Sequence, residues 1–262
     1  MLETNKIYND NNINVLKQID SNSIDMVLTS PPYDDLRVYK NTLDWNFDIF
    51  KQVANELLRV LKDGGVIVWI VSDGTEDISE TGTSFKQALY FKDIGLKLYD
   101  TMIWRKPNPA VPTTDRYYNA FEYMFVISKG KPKTMNFICD KVNESVGNVY
   151  TKDTRISSEN RKRTDKTRTV SQYSRRHNVW DIPIGDNPTK HPATFPLRLA
   201  VDHIKTWTNQ GDIVLDPFMG SGTTCSACKD NNRKYIGIEL VKEYYDMADN
   251  RLKNTSGSHL FY

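Results

Sequence analysis

The sequence predicts an α/β protein in which a mainly parallel sheet is covered by helices on both faces, and three observations lead there. Short apolar runs of strand length alternate with segments whose apolar residues recur at helical spacing. The strand-like runs are apolar almost throughout, as strands buried on both faces are. The same alternation stands on both sides of a polar, basic stretch from Lys129 to Asn187.

Ile24 to Thr29 (IDMVLT) ends abruptly before Pro31 and Pro32, so a short buried strand followed by a loop is expected. Phe50, Val53, Ala54, Leu57, Leu58 and Leu61 lie at helical spacing, and Gly64 and Gly65 are expected to stop that helix. Val66 to Val71 then reads as a fully buried strand, Ser84 to Ile94 as an amphipathic helix, and Leu98 to Trp104 and Phe121 to Ser128 as strands. From Lys129 periodicity fades, and a small separate lobe or loop-rich insert is expected. Order returns with a helix from Pro196 to about Trp207, a strand at Ile213 to Asp216, a helix after Gly222 and a strand at Tyr235 to Glu239. The expected division is residues 1–128, an insert at 129–187, and residues 188–262.

At 262 residues the chain is long enough for one large core plus an inserted segment, which suits that division better than two equal domains. No apolar run approaches the roughly 20 residues needed to span a membrane. Met1 to Asn12 is polar and acidic, unlike a secretory or transit peptide, so a cytoplasmic protein is expected. Three cysteines, Cys139, Cys225 and Cys228, cannot form a disulfide framework; Cys225 and Cys228 are expected to pack inside a helix, with no second ligand pair to make a metal site. The net charge of +2 excludes little, but its distribution is uneven: between Lys152 and Arg176 nine Lys and Arg face three acids.

Two loops carry the chemistry. In the first, Ile213 to Cys225 runs from an apolar strand through Asp216-Pro-Phe218-Met-Gly220-Ser221-Gly222-Thr223 into a helix, and Glu239 ends the next strand 19 residues after Gly220. Glycines at such a turn let a ligand approach the backbone, and an acid ending the second strand can accept hydrogen bonds from a ribose diol, so a nucleoside is implied. Asp216 stands where a dinucleotide fold would place a pyrophosphate. Like charges would repel there, so a cationic ligand such as S-adenosylmethionine suits it better. Cys225 in place of a third glycine also departs from the dinucleotide pattern. A lone Gly-x-Gly would be a mere connecting turn; the four residues Asp216, Gly220, Gly222 and Glu239 together argue for a site.

The second loop is Thr29-Ser30-Pro31-Pro32-Tyr33. The double proline extends the backbone and removes two N–H donors, which leaves carbonyl and side-chain oxygens as acceptors. An exocyclic amine brings two N–H donors, and a serine oxygen and a proline carbonyl can hold both while the nitrogen lone pair faces a methyl donor. Tyr33 offers a flat face on which a base swung out of a duplex can stack. Alone, Pro-Pro-Tyr reads equally well as a surface turn.

Together the two loops resemble the signatures of the amino-methylating DNA methyltransferases. Their order, tetrapeptide first and cofactor loop last, resembles the circularly permuted β class, and the likeness runs from about Ile7 to Leu252. The resemblance implies a Rossmann-like methyltransferase fold, S-adenosylmethionine as cofactor and double-stranded DNA as partner. It further implies a target-recognition lobe in the insert, where Arg161, Lys162, Arg163, Arg175 and Arg176 would meet phosphates. Asp10 resembles the acid at the cofactor's adenine. His191 and Thr194, in His-Pro-Ala-Thr-Phe-Pro, resemble the cofactor-wall motif, although Phe195 stands where lysine is usual. The segment from Trp104 to Pro109 resembles one that lines the base pocket, while Trp104 alone reads equally as core.

Serine at position 30 resembles the cytosine-N4 enzymes, and adenine N6 is the alternative, since both amines present the same two donors. Cytosine C5 chemistry needs a thiolate nucleophile, and none of the three cysteines follows a proline in such a motif. RNA or a protein glutamine amide is a more remote substrate, and a silent DNA-binding module a further reading. A partner restriction endonuclease and a homodimer stay open.

Overall fold

Strands without polar alternation need cover on both faces, and the computed structural model of the protein supplies it. The structure describes residues 2–32, 45–109, 115–155, 161–184 and 195–254, of which 151–155 and 161–166 by their backbone alone. In chain order the elements are β1 (Lys6–Asn9), α1 (Asn12–Leu16), β2 (Ile24–Thr29), α2 (Phe47–Val60), β3 (Leu61–Val71), β4 (Thr75–Glu76), β5 (Ser79–Glu80), α3 (Thr83–Asp93), β6 (Lys97–Arg105) and β7 (Phe121–Ser128). They continue with β8 (Lys141–Val142), β9 (Val149–Arg155), β10 (Arg161–Thr169), β11 (Tyr173–Ser174), β12 (Val179–Asp181), α4 (Leu197–Trp207), β13 (Ile213–Asp216), α5 (Thr223–Asp230), β14 (Lys234–Glu239) and α6 (Lys242–Asn254).

Among the described residues eight strands form one sheet in the order β1-β14-β13-β2-β3-β7-β6-β12. Every pairing is parallel except the two made by β7. On one face Ile67, Trp69, Phe125 and Ile127 share a core with Phe50, Val53 and Leu57 of α2 and Phe91 of α3. On the other face α4 covers the sheet, with His203 Nε2 3.2 Å from the Met124 sulfur, and the buried Cys225, Ala227 and Cys228 of α5 pack beyond it. Helices therefore cover both faces of a mainly parallel sheet, as the sequence predicts.

The apolar pattern places α2 well but not its end. Asn46 caps its start, its side-chain oxygen accepting from Asp48 N and Ile49 N at 3.0 Å each. The helix stops at Val60, four residues before Gly64, because Leu61 is already extended and paired with Ile24. The two glycines lie inside β3 instead.

The segment expected as a small separate lobe or loop-rich insert at 129–187 has narrower bounds in the structure. Phe137–His177 forms a compact unit of its own, while 1–136 and 178–262 make the larger one. β12 thus belongs to the main sheet, beside β6. Inside the smaller unit, β9 and β10 pair antiparallel with Arg161 opposite Arg155, Lys162 opposite Thr154 and Arg163 opposite Asp153, and β11 pairs β8. Among the described residues no helix is long and apolar enough to cross a membrane.

Candidate functional site

The two loops that sequence reasoning singles out stand side by side, because β13 pairs directly with β2. The Thr29 hydroxyl, one residue before Ser30, donates to Asp216 Oδ1 at 2.7 Å, and Phe218 N donates to the same oxygen at 3.1 Å. The Thr224 hydroxyl also bonds the carboxylate and lies 3.3 Å from the Leu28 carbonyl. Asp216 is only 2% exposed, and burial pushes its pKa up to about 6 despite three hydrogen bonds that favour the charged form. A carboxylate held this way gains most from a cation that arrives beside it.

Glu239, on the next strand, shapes the glycine turn. Its Oε2 accepts from Gly220 N at 2.9 Å and its Oε1 from Val241 N at 2.8 Å, while burial raises its pKa against the pull of those bonds. Gly222 sits at φ +79°, where a Cβ would also lie 3.0 Å from that of Ala248, so both conformation and space demand glycine. Between the glycines the Ser221 hydroxyl is buried with no hydrogen-bond partner among the described residues. A buried orphan hydroxyl inside a glycine turn fits a ligand that brings its own polar groups.

The strand ends continue the row. Asn9 of β1 stands in register with Glu239, and its amide donates to the Glu239 and Leu240 carbonyls at 2.9 and 3.1 Å. The next residue, Asp10, is exposed, and its Oδ1 accepts from Asn11 N at 2.6 Å. Asp10, Glu239, Asp216 and Ser30 therefore mark the carboxyl ends of four consecutive parallel strands, the place where open α/β sheets bind ligands.

Phe218 turns its ring edge-on to Trp45 and Trp69, with centroids 5.1 and 6.3 Å away. The Thr223 hydroxyl accepts from Arg251 Nη1 at 3.0 Å. Sequence reasoning missed Arg251: α6 buries only Ala248 and Leu252, too little to mark a helix by apolar spacing. Pro31 is buried and Pro32 half-buried. Tyr33, His191 and Thr194 lie outside the described residues.

Cys225 and Cys228 are buried in α5, and burial pushes both thiols up, so they pack as apolar groups. Trp104 is buried, its indole N–H donating to the Ile182 carbonyl at 2.7 Å, and the adjacent Lys106 reaches Glu122 Oε1 at 2.5 Å. In the smaller unit Arg161, Lys162 and Arg163 open β10, Arg175 stacks 4.4 Å over Phe137, and Arg176 Nε donates to Asp140 Oδ2 at 2.9 Å.

The comparison with known proteins agrees with this arrangement. Residues 24–250 match the DNA methylase model for the N6 and N4 enzymes. The chain belongs to this family. It is 49% identical over 245 residues to the orphan methyltransferase M.BamHII of Bacillus amyloliquefaciens, covering 88% of this chain and 89% of that protein. Among solved structures, the complex of M1.HpyAVI with S-adenosylmethionine is 27% identical with a TM-score of 0.65, covering 95% of this chain and 99% of the other. The cytosine-N4-specific PvuII DNA methyltransferase, at 20% identity and a TM-score of 0.72 over 98% and 89% of the two chains, shares the fold. The fold is thus the Rossmann-like methyltransferase fold, and the family is that of the amino-methylating DNA methyltransferases.

Proposed function

We propose that this member of the family transfers a methyl group from S-adenosylmethionine to the exocyclic amine of a flipped base in double-stranded DNA, with cytosine N4 as the target. The observation that carries the reading is the Thr29 to Asp216 hydrogen bond, which joins the Ser30-Pro31-Pro32 turn to the glycine loop at neighbouring strand ends.

In this reading Asp216 faces the ammonium and sulfonium end of the cofactor, the Gly220 to Gly222 turn and Ser221 its polar atoms, Thr223 and Phe218 the flanks of the turn, and Glu239 the ribose. Asp10, His191 and Thr194 complete the cofactor's surroundings. S-adenosylmethionine supplies an electrophilic methyl group when bound. Ser30 and the Pro31 carbonyl accept the two N–H bonds of the amine, which turns the nitrogen lone pair outward, and Tyr33 stacks on the base. Arg161, Lys162, Arg163, Arg175 and Arg176 neutralise phosphates.

Serine at the head of the tetrapeptide supports cytosine N4. Adenine N6 is the alternative, since that amine offers the same two donors. A restriction endonuclease of matching target sequence is the partner such an activity would guard against. Incubating duplex DNA with methyl-labelled S-adenosylmethionine tests the reaction: label in DNA is expected, and none across diverse sequences would refute it. Digestion to nucleosides and mass spectrometry then reads the base, N4-methylcytosine being expected and N6-methyladenine overturning the cytosine assignment.

A further inference from the structure

Trp45 belongs to neither signature, yet it touches the cofactor loop. It immediately precedes Asn46, the N-cap of α2, and packs edge-on against Phe50 with centroids 6.5 Å apart. Trp45, just before the N-cap, and Phe50, four residues after it, form a hydrophobic staple, which fixes the direction in which the chain meets the helix. The opposite side of the indole meets Phe218 edge-on at 5.1 Å and 84°. Phe218 is itself half-buried and leans on Trp69, which Phe50 and Phe91 hold in the core.

The chain that begins with the catalytic tetrapeptide is therefore tied at two points to one tripeptide, Asp216-Pro217-Phe218. Thr29 makes the first tie, through the Asp216 carboxylate. Trp45 makes the second, through the Phe218 ring. Phe218 N bonds the same Asp216 oxygen that Thr29 does, so the two ties share one rigid turn. A ligand that shifts or stiffens this turn acts on both ends of the catalytic segment at once.

We infer that Trp45 is a positioning residue through which occupancy of the cofactor loop and binding of the DNA substrate are coupled; the inference rests on the function proposed above. Coupling of this kind is reciprocal and is measured as the factor by which one ligand changes the affinity of the other. The test uses the whole chain with S-adenosylhomocysteine, which has no methyl group to transfer, and an unmethylated duplex that takes up label in the assay above, each titrated with and without the other.

In the wild type each ligand is expected to tighten the other by about fivefold or more, the usual lower range of such coupling. Trp45→Ala is expected to bring that factor to about one, and Trp45→Phe, which keeps an edge contact, to restore most of it. Phe218→Leu should abolish the coupling from the other side, and the double variant should lose nothing more. A merely structural Trp45 would lower thermal stability and leave the factor unchanged in Trp45→Ala, which overturns the inference. So does a wild type that binds both ligands independently, or a Phe218→Leu variant that stays fully coupled. A wild type that binds neither ligand refutes the proposed function instead.

Discussion

Asp216 and Arg168 carry charge in opposite ways. Asp216 is 2% exposed, ringed by Thr29, Phe218 and Thr224, and its pKa is raised by burial. Arg168 stands on an exposed two-stranded ribbon, opposite Tyr150, in a unit whose described residues are mostly open to solvent. A buried charge is worth a great deal to a ligand that pairs with it and costs stability until it does. An exposed cation is worth little singly and acts by number. In the function proposed above, the larger unit would thus rely on a few decisive contacts, and the insert on many small additive ones.

The sharpest way to break the contrast is Asp216→Ala. Loss of the ammonium partner should weaken cofactor binding by about a hundredfold, ~2.7 kcal/mol, read by calorimetry; unchanged affinity would remove Asp216 from the site. Asp216→Asn isolates the cost of burial. With the folded-state pKa raised from 3.8 to about 6, the folded chain holds this proton more tightly than the unfolded one. The wild type therefore loses stability as pH rises from about 4 to 6, by about 3 kcal/mol. The asparagine variant should be the more stable at pH 7, with the difference vanishing as pH falls to 4 in parallel thermal melts.

Gly237→Ala comes next. A Cβ there would lie 2.5 Å from the Met219 sulfur and 2.6 Å from the Cys225 sulfur, so overpacking of about 2 kcal/mol is expected in denaturant unfolding. A neutral substitution would show that α5 can retreat from β14. Cofactor affinity should fall about tenfold per pH unit below about 6, as the Asp216 carboxylate takes up a proton; a flat profile from pH 7 to 5 would contradict the charge pairing. The smallest effect belongs to the insert. Lys162→Ala should weaken DNA binding by less than about 1 kcal/mol and lower the slope of log affinity against log salt by about 0.9, measured by fluorescence anisotropy. A larger, salt-independent loss would mark Lys162 as a base reader.

The same contrast governs what could be read in advance. β2, β7 and β13 are apolar runs with core on both faces, and their limits follow from composition alone. β1 is four residues at the sheet edge with only Ile7 buried, and α6 buries two side chains, so neither leaves a pattern. The strands of the insert pair without an apolar face of their own, which is why polar sequence read as loop. At the site, Asp216, Glu239 and the glycines were legible because their spacing follows from a strand, a turn and a second strand. Thr29 and Arg251 were not, since each is defined by a partner nearly 30 or more residues away. Gly237 explains the missing third glycine of the loop: the space a dinucleotide fold opens on the helix is opened here on the strand, and Cys225 fills it.

Because Thr29 and Asp216 are brought together by the lateral pairing of β2 with β13, the order of their two loops along the chain is immaterial to that contact. Among the described residues the pairing of β2 with β13 is lateral and does not depend on the chain running unbroken from one to the other. Two polypeptides severed within 137–177 would retain every main-sheet strand, so fragment complementation of this enzyme is built into the way its sheet is woven.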